Sequence, residues 1–139
     1  HITTDKVSGF ETIVGNDGPG HYMGSDAGGT WFIGGSSSDW FRGKGGSDTL
    51  TGGAGADTFA YLKKDTAGGA VDKITDFQVG TDRLDMSDFL KGHSSYAESV
   101  RFAASGNDTT VQGLVNHHWV DVVTLQGVDS HDAGFAILA

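Results

Sequence analysis

Large apolar residues recur at every ninth position through the first half of this chain, at Met23, Phe32, Phe41, Leu50 and Phe59. A period of nine is neither the 3.6 of an amphipathic helix nor the two of a lone strand. It marks a small supersecondary unit repeated end to end. Aligned on those residues, Gly34-Gly-Ser-Ser-Ser-Asp-Trp-Phe-Arg42 precedes Gly43-Lys-Gly-Gly-Ser-Asp-Thr-Leu-Thr51 and Gly52-Gly-Ala-Gly-Ala-Asp-Thr-Phe-Ala60. Two earlier copies, Asn16 to Gly24 and Ser25 to Ile33, keep the period but carry His21 and Thr30 where the later ones have Asp39, Asp48 and Asp57.

Each unit reads as six turn residues followed by a three-residue strand. Glycine permits the positive φ angles and close backbone approach that successive turns demand. The middle strand residue points inward and its neighbours outward. Two units complete one coil, so strands pair in parallel along two walls. The fold class expected is all-β: a parallel β-roll with its lead-in over residues 1–61, then a β-rich C-terminal cap over 62–139. Fifteen of the 23 glycines fall within the first 60 residues, which places the boundary there.

Composition narrows the function. The chain has 16 Asp against 2 Glu and a formal charge of −9. Short carboxylates that fold back on their own backbone belong to tight turns. Such a balance argues against nucleic acid and anionic membranes as partners, and points to bound cations or to a solvated surface. With no Cys there is neither a disulfide framework nor a thiolate metal site. No apolar run approaches the ~20 residues of a membrane helix, so no membrane insertion is expected. The chain opens at His1 without a leader, which reads as a piece of a longer protein.

Gly-Gly-x-Gly-x-Asp repeats of this form resemble the RTX family of secreted calcium-binding proteins. The resemblance continues through Gly53-Ala-Gly-Ala-Asp-Thr-Phe-Ala-Tyr61, Val71-Asp-Lys-Ile-Thr-Asp-Phe77 and Asp82-Arg-Leu-Asp-Met-Ser87. These are similar to the terminal modules of type I-secreted proteins: serralysin-type metalloproteases, mannuronan epimerase R-modules and large repeat adhesins. Gly9-Phe-Glu-Thr-Ile-Val-Gly15 resembles the segment leading into such repeats, and Val120-Asp-Val-Val-Thr-Leu-Gln-Gly-Val128 their closing strand. The similarity is most specific over residues 34–88.

What the resemblance implies is a calcium site. Calcium takes six to eight hard oxygens. Stacked turns supply carbonyls, and one Asp per turn supplies charge. Asp39 and Asp57, 18 residues apart, should face one ion, with carbonyls of Gly34, Ser36, Gly53 and Gly55 completing the shell. Asp48 lies on the opposite wall, where its partner is expected downstream in Asp65, or in Asp72 and Asp76. The alternative is that these aspartates only cap turns. The implied role is a secreted, extracellular module that orders in external calcium and carries an export signal at Phe135–Ala139 for the type I secretion machinery. A docked last strand is the alternative for that tail.

Beyond Tyr61, alternation predicts strands around Val71 to Phe77, Leu84/Met86, Val100/Phe102, Thr109/Val111 and Trp119 to Leu125, with Ser87 capping a short helix that ends at Gly92. They would cap the open end of the roll. No catalysis is expected, because His-Glu-x-x-His, a Gly-x-Ser-x-Gly elbow and nucleotide fingerprints are all missing. His117, His118, His131 and His93 form no metal motif, and Asp82/Asp85 fall within the family's strand-and-turn pattern. Tyr22, Trp31 and Trp40 precede each inward residue, and Tyr22 and Trp40 should therefore stack on one wall. Such a wall is either covered or used to bind an extracellular polysaccharide, the alternative function.

Overall fold

The computed structural model describes residues 4–6, 11–15, 20–23, 30–42, 45–69 and 71–129. Seven short strands come first: β1 (Thr4–Lys6), β2 (Glu11–Val14), β3 (His21–Met23), β4 (Thr30–Ile33), β5 (Trp40–Arg42), β6 (Thr49–Thr51) and β7 (Thr58–Ala60). Odd-numbered strands form one wall and even-numbered strands the other, all in parallel. Phe41 lies beside Phe59 and Phe32 beside Leu50, which is the 18-residue coil expected from the period. These inward side chains are fully buried. Down the odd wall, Tyr22, Phe41 and Phe59 form a column of rings 4.9 and 5.0 Å apart, nearly parallel at 17° and 11°.

One expectation fails here. The inward residue of β3 is Tyr22, 2% exposed, not Met23. Tyr22 pairs with Phe41 and His21 with Trp40, so this coil spans 19 residues rather than 18. The extra residue falls between β3 and β4, and a ring that extends the aromatic column occupies the core in place of a thioether. The shift also places Gly20, not His21, at the position held by Asp39 in the next coil of the wall. It removes the Tyr22–Trp40 wall altogether.

The ladders continue past Tyr61. After a 3₁₀ turn at Lys63–Gly69, β8 (Asp72–Ile74) pairs with β6, and β9 (Arg83–Asp85) pairs with β7. The expected Val71–Phe77 strand is shorter than its apolar pattern, and Phe77 is buried in the turn that follows. A single helical turn, α1 (Ser87–Leu90), comes next. Ser87 does not cap it. Met86 holds the N-cap place with no side-chain bond, and the Ser87 hydroxyl donates to Asp85 Oδ1 at 2.7 Å.

Three longer strands, β10 (Val100–Ser105), β11 (Asp108–Val115) and β12 (His118–Leu125), form the expected antiparallel meander. β12 then pairs in parallel with β8, so the meander extends the even wall into a seven-stranded sheet. Phe89 of α1 packs over Gly113 of β11, where any Cβ would strike its ring. A single apolar cluster runs from Tyr22 to Val128 through both halves. Among the described residues no helix is long and apolar enough to cross a membrane. Phe135–Ala139 lies outside the described residues.

Candidate metal centre

The turns between strands stack as closely as the strands do. Gly53 and Gly55 have φ of +79° and +87°. A Cβ at Gly55 would lie 3.0 Å from the Ser36 carbonyl and 2.8 Å from that of Ser37. A Cβ at Gly53 would strike the Gly35 carbonyl and lie 3.1 Å from that of Gly34. Glycine is required at these two places by conformation and by space together. The result is a row of backbone carbonyls, Gly34 to Ser37, turned toward the next coil.

Beside those carbonyls runs a ladder of buried aspartates. Asp57 Oδ1 accepts the Asp39 N–H at 2.9 Å, and Asp82 Oδ1 accepts the Asp57 N–H at 2.9 Å. Asp39 Oδ1 accepts the N–H of Gly20, at the equivalent place one coil up, at 2.9 Å. Asp39, Asp57 and Asp82 are 3%, 1% and 0% exposed. In two rungs the second oxygen also serves its own turn: Asp39 Oδ2 takes the Gly35 N–H at 3.2 Å, and Asp82 Oδ2 takes the Gln78 N–H at 2.9 Å. The middle rung differs. Its equivalent donor, Gly53 N–H, goes instead to Asp76 Oδ2 at 2.9 Å, while Gly52 N–H goes to Asp76 Oδ1 at 2.8 Å. Asp57 Oδ2 is left buried with no hydrogen-bond partner, close against Gly52.

The opposite wall repeats the motif. Asp72 Oδ1 accepts the Asp48 N–H at 2.8 Å, and both carboxylates are buried. Asp72 is therefore the downstream neighbour of Asp48. Asp65 has another partner. It receives both Nε and Nη2 of Arg42 at 3.0 Å, in a bidentate pair that spans from β5 to the 3₁₀ turn.

Electrostatics separate these groups. Burial pushes Asp57 up to about 8; the Asp39 N–H opposes this, and the charges of Asp82, Asp39 and Asp76 add to it. Burial likewise raises Asp39 and Asp82 against their backbone hydrogen bonds; at Asp82 the Asp76 charge adds to the rise and Arg83 opposes it. Asp72 is raised well above the carboxylate range by burial, with Asp48 and Asp65 contributing. The buried Tyr61 hydroxyl is raised by burial and by Asp72, Asp48 and Asp65. Neither of the two ion pairs found among the described residues, Arg42–Asp65 and Lys91–Asp88, touches the Asp39–Asp57–Asp82 ladder. A row of desolvated carboxylates with mutual repulsion and no cationic side chain pairing with it calls for an external cation.

The donor set suits calcium. Every candidate ligand is a hard oxygen, carboxylate or carbonyl, and none is nitrogen or sulfur. Among the described residues no three His, Asp or Glu side chains converge as a side-chain-only metal cluster would. The carbonyls must therefore supply much of the shell. Asp39, Asp57, Gly34, Ser36, Gly53 and Gly55 are brought together at one stack of turns. Asp76 joins that stack through Gly52 and Gly53, rather than the Asp48 wall. The period pointed to three aspartates and missed the rung at Asp82, which stands 25 residues after Asp57 because the Lys63–Gly69 turn is inserted between.

The three aromatics do not form a common surface. Tyr22 is core, Trp40 lies half-buried on the odd wall, and Trp31 stands on the even wall, 45% exposed.

Comparison with known proteins agrees with this architecture. The family described as peptidase M10 serralysin C terminal matches residues 5–136. The solution structure of the AlgE6R2 subunit from the Azotobacter vinelandii mannuronan C5-epimerase is similar with a TM-score of 0.63 and 25% identity, over 99% of this chain and 91% of that one. The AlgE6R3 subunit of the same organism's mannuronan C5-epimerase shares the fold, with a TM-score of 0.59 and 24% identity over 99% of this chain and 78% of its own. No curated protein matches the chain.

Proposed function

The chain belongs to the serralysin C-terminal family of M10 peptidases, an accessory and non-catalytic RTX module of secreted proteins, and from that premise we propose that its fold is conditional on calcium held by its own turns. Asp39, Asp57, Asp76 and Asp82 would hold the ion or ions of the odd-wall turns with carbonyls of Gly34, Ser36, Gly53 and Gly55. Asp48 and Asp72 would serve the other wall. The observation that carries this reading is Asp57 Oδ2, a buried carboxylate oxygen with no donor, among three further carboxylates.

Calcium bound there neutralises the repulsion and ties adjacent coils. Extracellular calcium modules work at ~10⁻⁴–10⁻³ M, far above cytosolic levels. A chain of this kind is loose where it is made and ordered where it is delivered, which suits passage through a type I exporter as an unfolded polymer. Residues 62–139 cap the roll in this reading, and the C-terminal residues carry the export signal.

Chelation tests it. With EDTA, far-UV circular dichroism should show loss of the strands, and amides from Trp31 to Ala60 should lose hydrogen-exchange protection. Millimolar calcium should restore both. Identical spectra and melting temperatures in the two conditions would sink the reading.

A further inference from the structure

Outside the ladder, the Tyr61 hydroxyl is also buried with no hydrogen-bond partner, on a side chain 3% exposed. Such a group costs free energy, and native chains retain one where a water or an ion meets it. Tyr61 opens the turn from β7 to β8, and Asp72 closes it. The backbone pins it there, since its N–H donates to the Asp85 carbonyl at 3.0 Å. Its hydroxyl end lies within range of the charges of Asp72, Asp48 and Asp65. Asp48 and Asp72 belong to successive coils, are 3% and 4% exposed, and are joined by the 2.8 Å bond from the Asp48 N–H to Asp72 Oδ1. Asp72 takes part in neither ion pair found among the described residues. Asp65 is already served: Arg42 holds both its oxygens, and the Leu62 N–H donates to Oδ2 at 3.2 Å.

We propose that the Tyr61 hydroxyl is a neutral ligand of a cation held between the Asp48 and Asp72 turns. The inference rests on the calcium reading and adds to it a residue and an order of filling. A phenol oxygen is hard, as the carboxylates beside it are, and calcium gathers six to eight such oxygens. Among the described residues no three acidic or His side chains converge, so a cation at this corner needs uncharged oxygens as well. The hydroxyl meets that need without adding charge to a corner that already buries Asp48, Asp65 and Asp72. This corner also differs from the ladder in charge. The ladder gathers Asp39, Asp57, Asp76 and Asp82, whereas here Arg42 neutralises Asp65 and leaves only Asp48 and Asp72 for an ion. Calcium affinity follows ligand charge. The ladder therefore fills first and the Tyr61 corner last.

The test is calorimetric titration of the whole chain with calcium alone. The parent should show a tighter class of ions and a weaker one. Tyr61→Phe keeps the ring and removes only the oxygen, so it should weaken the second class about tenfold and leave the first unchanged. Asp57→Asn should do the reverse. A hydroxyl that is merely buried makes a different demand, because its removal relieves a cost and alters no affinity. Equal isotherms for the parent and Tyr61→Phe would therefore overturn the proposal. So would a shift of both classes together, or a Tyr61→Phe chain whose near-UV spectrum in saturating calcium departs from the parent's, since either marks a packing role. Absence of calcium heat in the parent is a separate result, which would end the calcium reading and this inference with it.

Discussion

Two kinds of buried aspartate occur in this small molecule. Asp65 is 6% exposed and carries its counter-ion with it, since Arg42 grips both its oxygens at 3.0 Å. Asp57 is 1% exposed and has no such partner; its neighbours are Asp39, Asp76 and Asp82. Both sit in turns next to the same roll, and both are out of water. At Asp65 the sequence supplies the positive charge, so that corner needs no ion of its own. Along the Asp39–Asp57–Asp82 ladder Arg83 offsets only the Asp82 end, and on the proposed reading the rest of the positive charge comes from a bound cation. On the exposed meander of β10 to β12 polar groups likewise find partners within the chain: Gln112 accepts from Arg101 and donates to Asp121, both at 2.7 Å, and Arg101 stacks over Trp119 at 4.3 Å. On the proposed reading, conditional folding is confined to places where charge is left unpaired.

The largest effect expected from that contrast is on the pH dependence of the metal-free chain. Asp57 is raised to about 8 from an ordinary 3.8, and Asp39, Asp72 and Asp82 are raised as well. A carboxyl whose pKa is higher folded than unfolded binds its proton more tightly in the folded state. It adds stability that is full below about pH 4 and is lost as pH rises through about 8. In EDTA the roll should therefore gain stability on acidification, protons standing in for calcium. With calcium in excess that slope should vanish, and calcium uptake near pH 7 should release protons. Melting temperatures across this range, with and without EDTA, check it. Stability that rises with pH in EDTA contradicts the ladder's electrostatics.

Next in size is Arg42→Met. It leaves Asp65 buried without its cation, and breaking such a pair costs about 3 kcal/mol. Because this pair needs no ion of its own, the loss should persist in saturating calcium, as measured by denaturant unfolding there. Recovery of the parent stability in excess calcium would show that Asp65 belongs with the ladder.

The sequence reads well where its period holds and poorly where it is broken. Phe32, Phe41, Leu50 and Phe59 were legible as core, and Asp39, Asp48 and Asp57 as equivalent positions, because identical units must stack identically. Tyr22 was not, since a single extra residue between β3 and β4 changes which side chain points inward, and a core tyrosine and an outward one look alike in sequence. Asp82 continues the ladder structurally although the inserted 3₁₀ turn has destroyed the nine-residue count. The Arg42–Asp65 pair joins residues 23 apart with no motif between them. Strand alternation found β10 to β12. It gave no sign that β12 would pair with β8, which depends on where the roll ends in space.

The smallest effect, and the sharpest, belongs to Asp57→Asn. Two roles for Asp57 make different demands. As an acceptor for the Asp39 N–H at 2.9 Å, it needs only one oxygen, and the amide oxygen of Asn supplies it at the same reach. As a calcium ligand it needs charge and a second oxygen, which is the atom now lacking a donor. The variant should therefore keep the coil geometry in calcium and bind the ion about tenfold more weakly, a loss of ~1.4 kcal/mol. In EDTA at pH 9 the order should reverse. There the parent must hold a buried charge beside Asp39, Asp76 and Asp82, and the variant holds none. Melting curves of the two proteins should cross between the chelated and the calcium-loaded state. If Asp57→Asn instead behaves as the parent in both conditions, its carboxylate is a turn cap and the ion sits elsewhere.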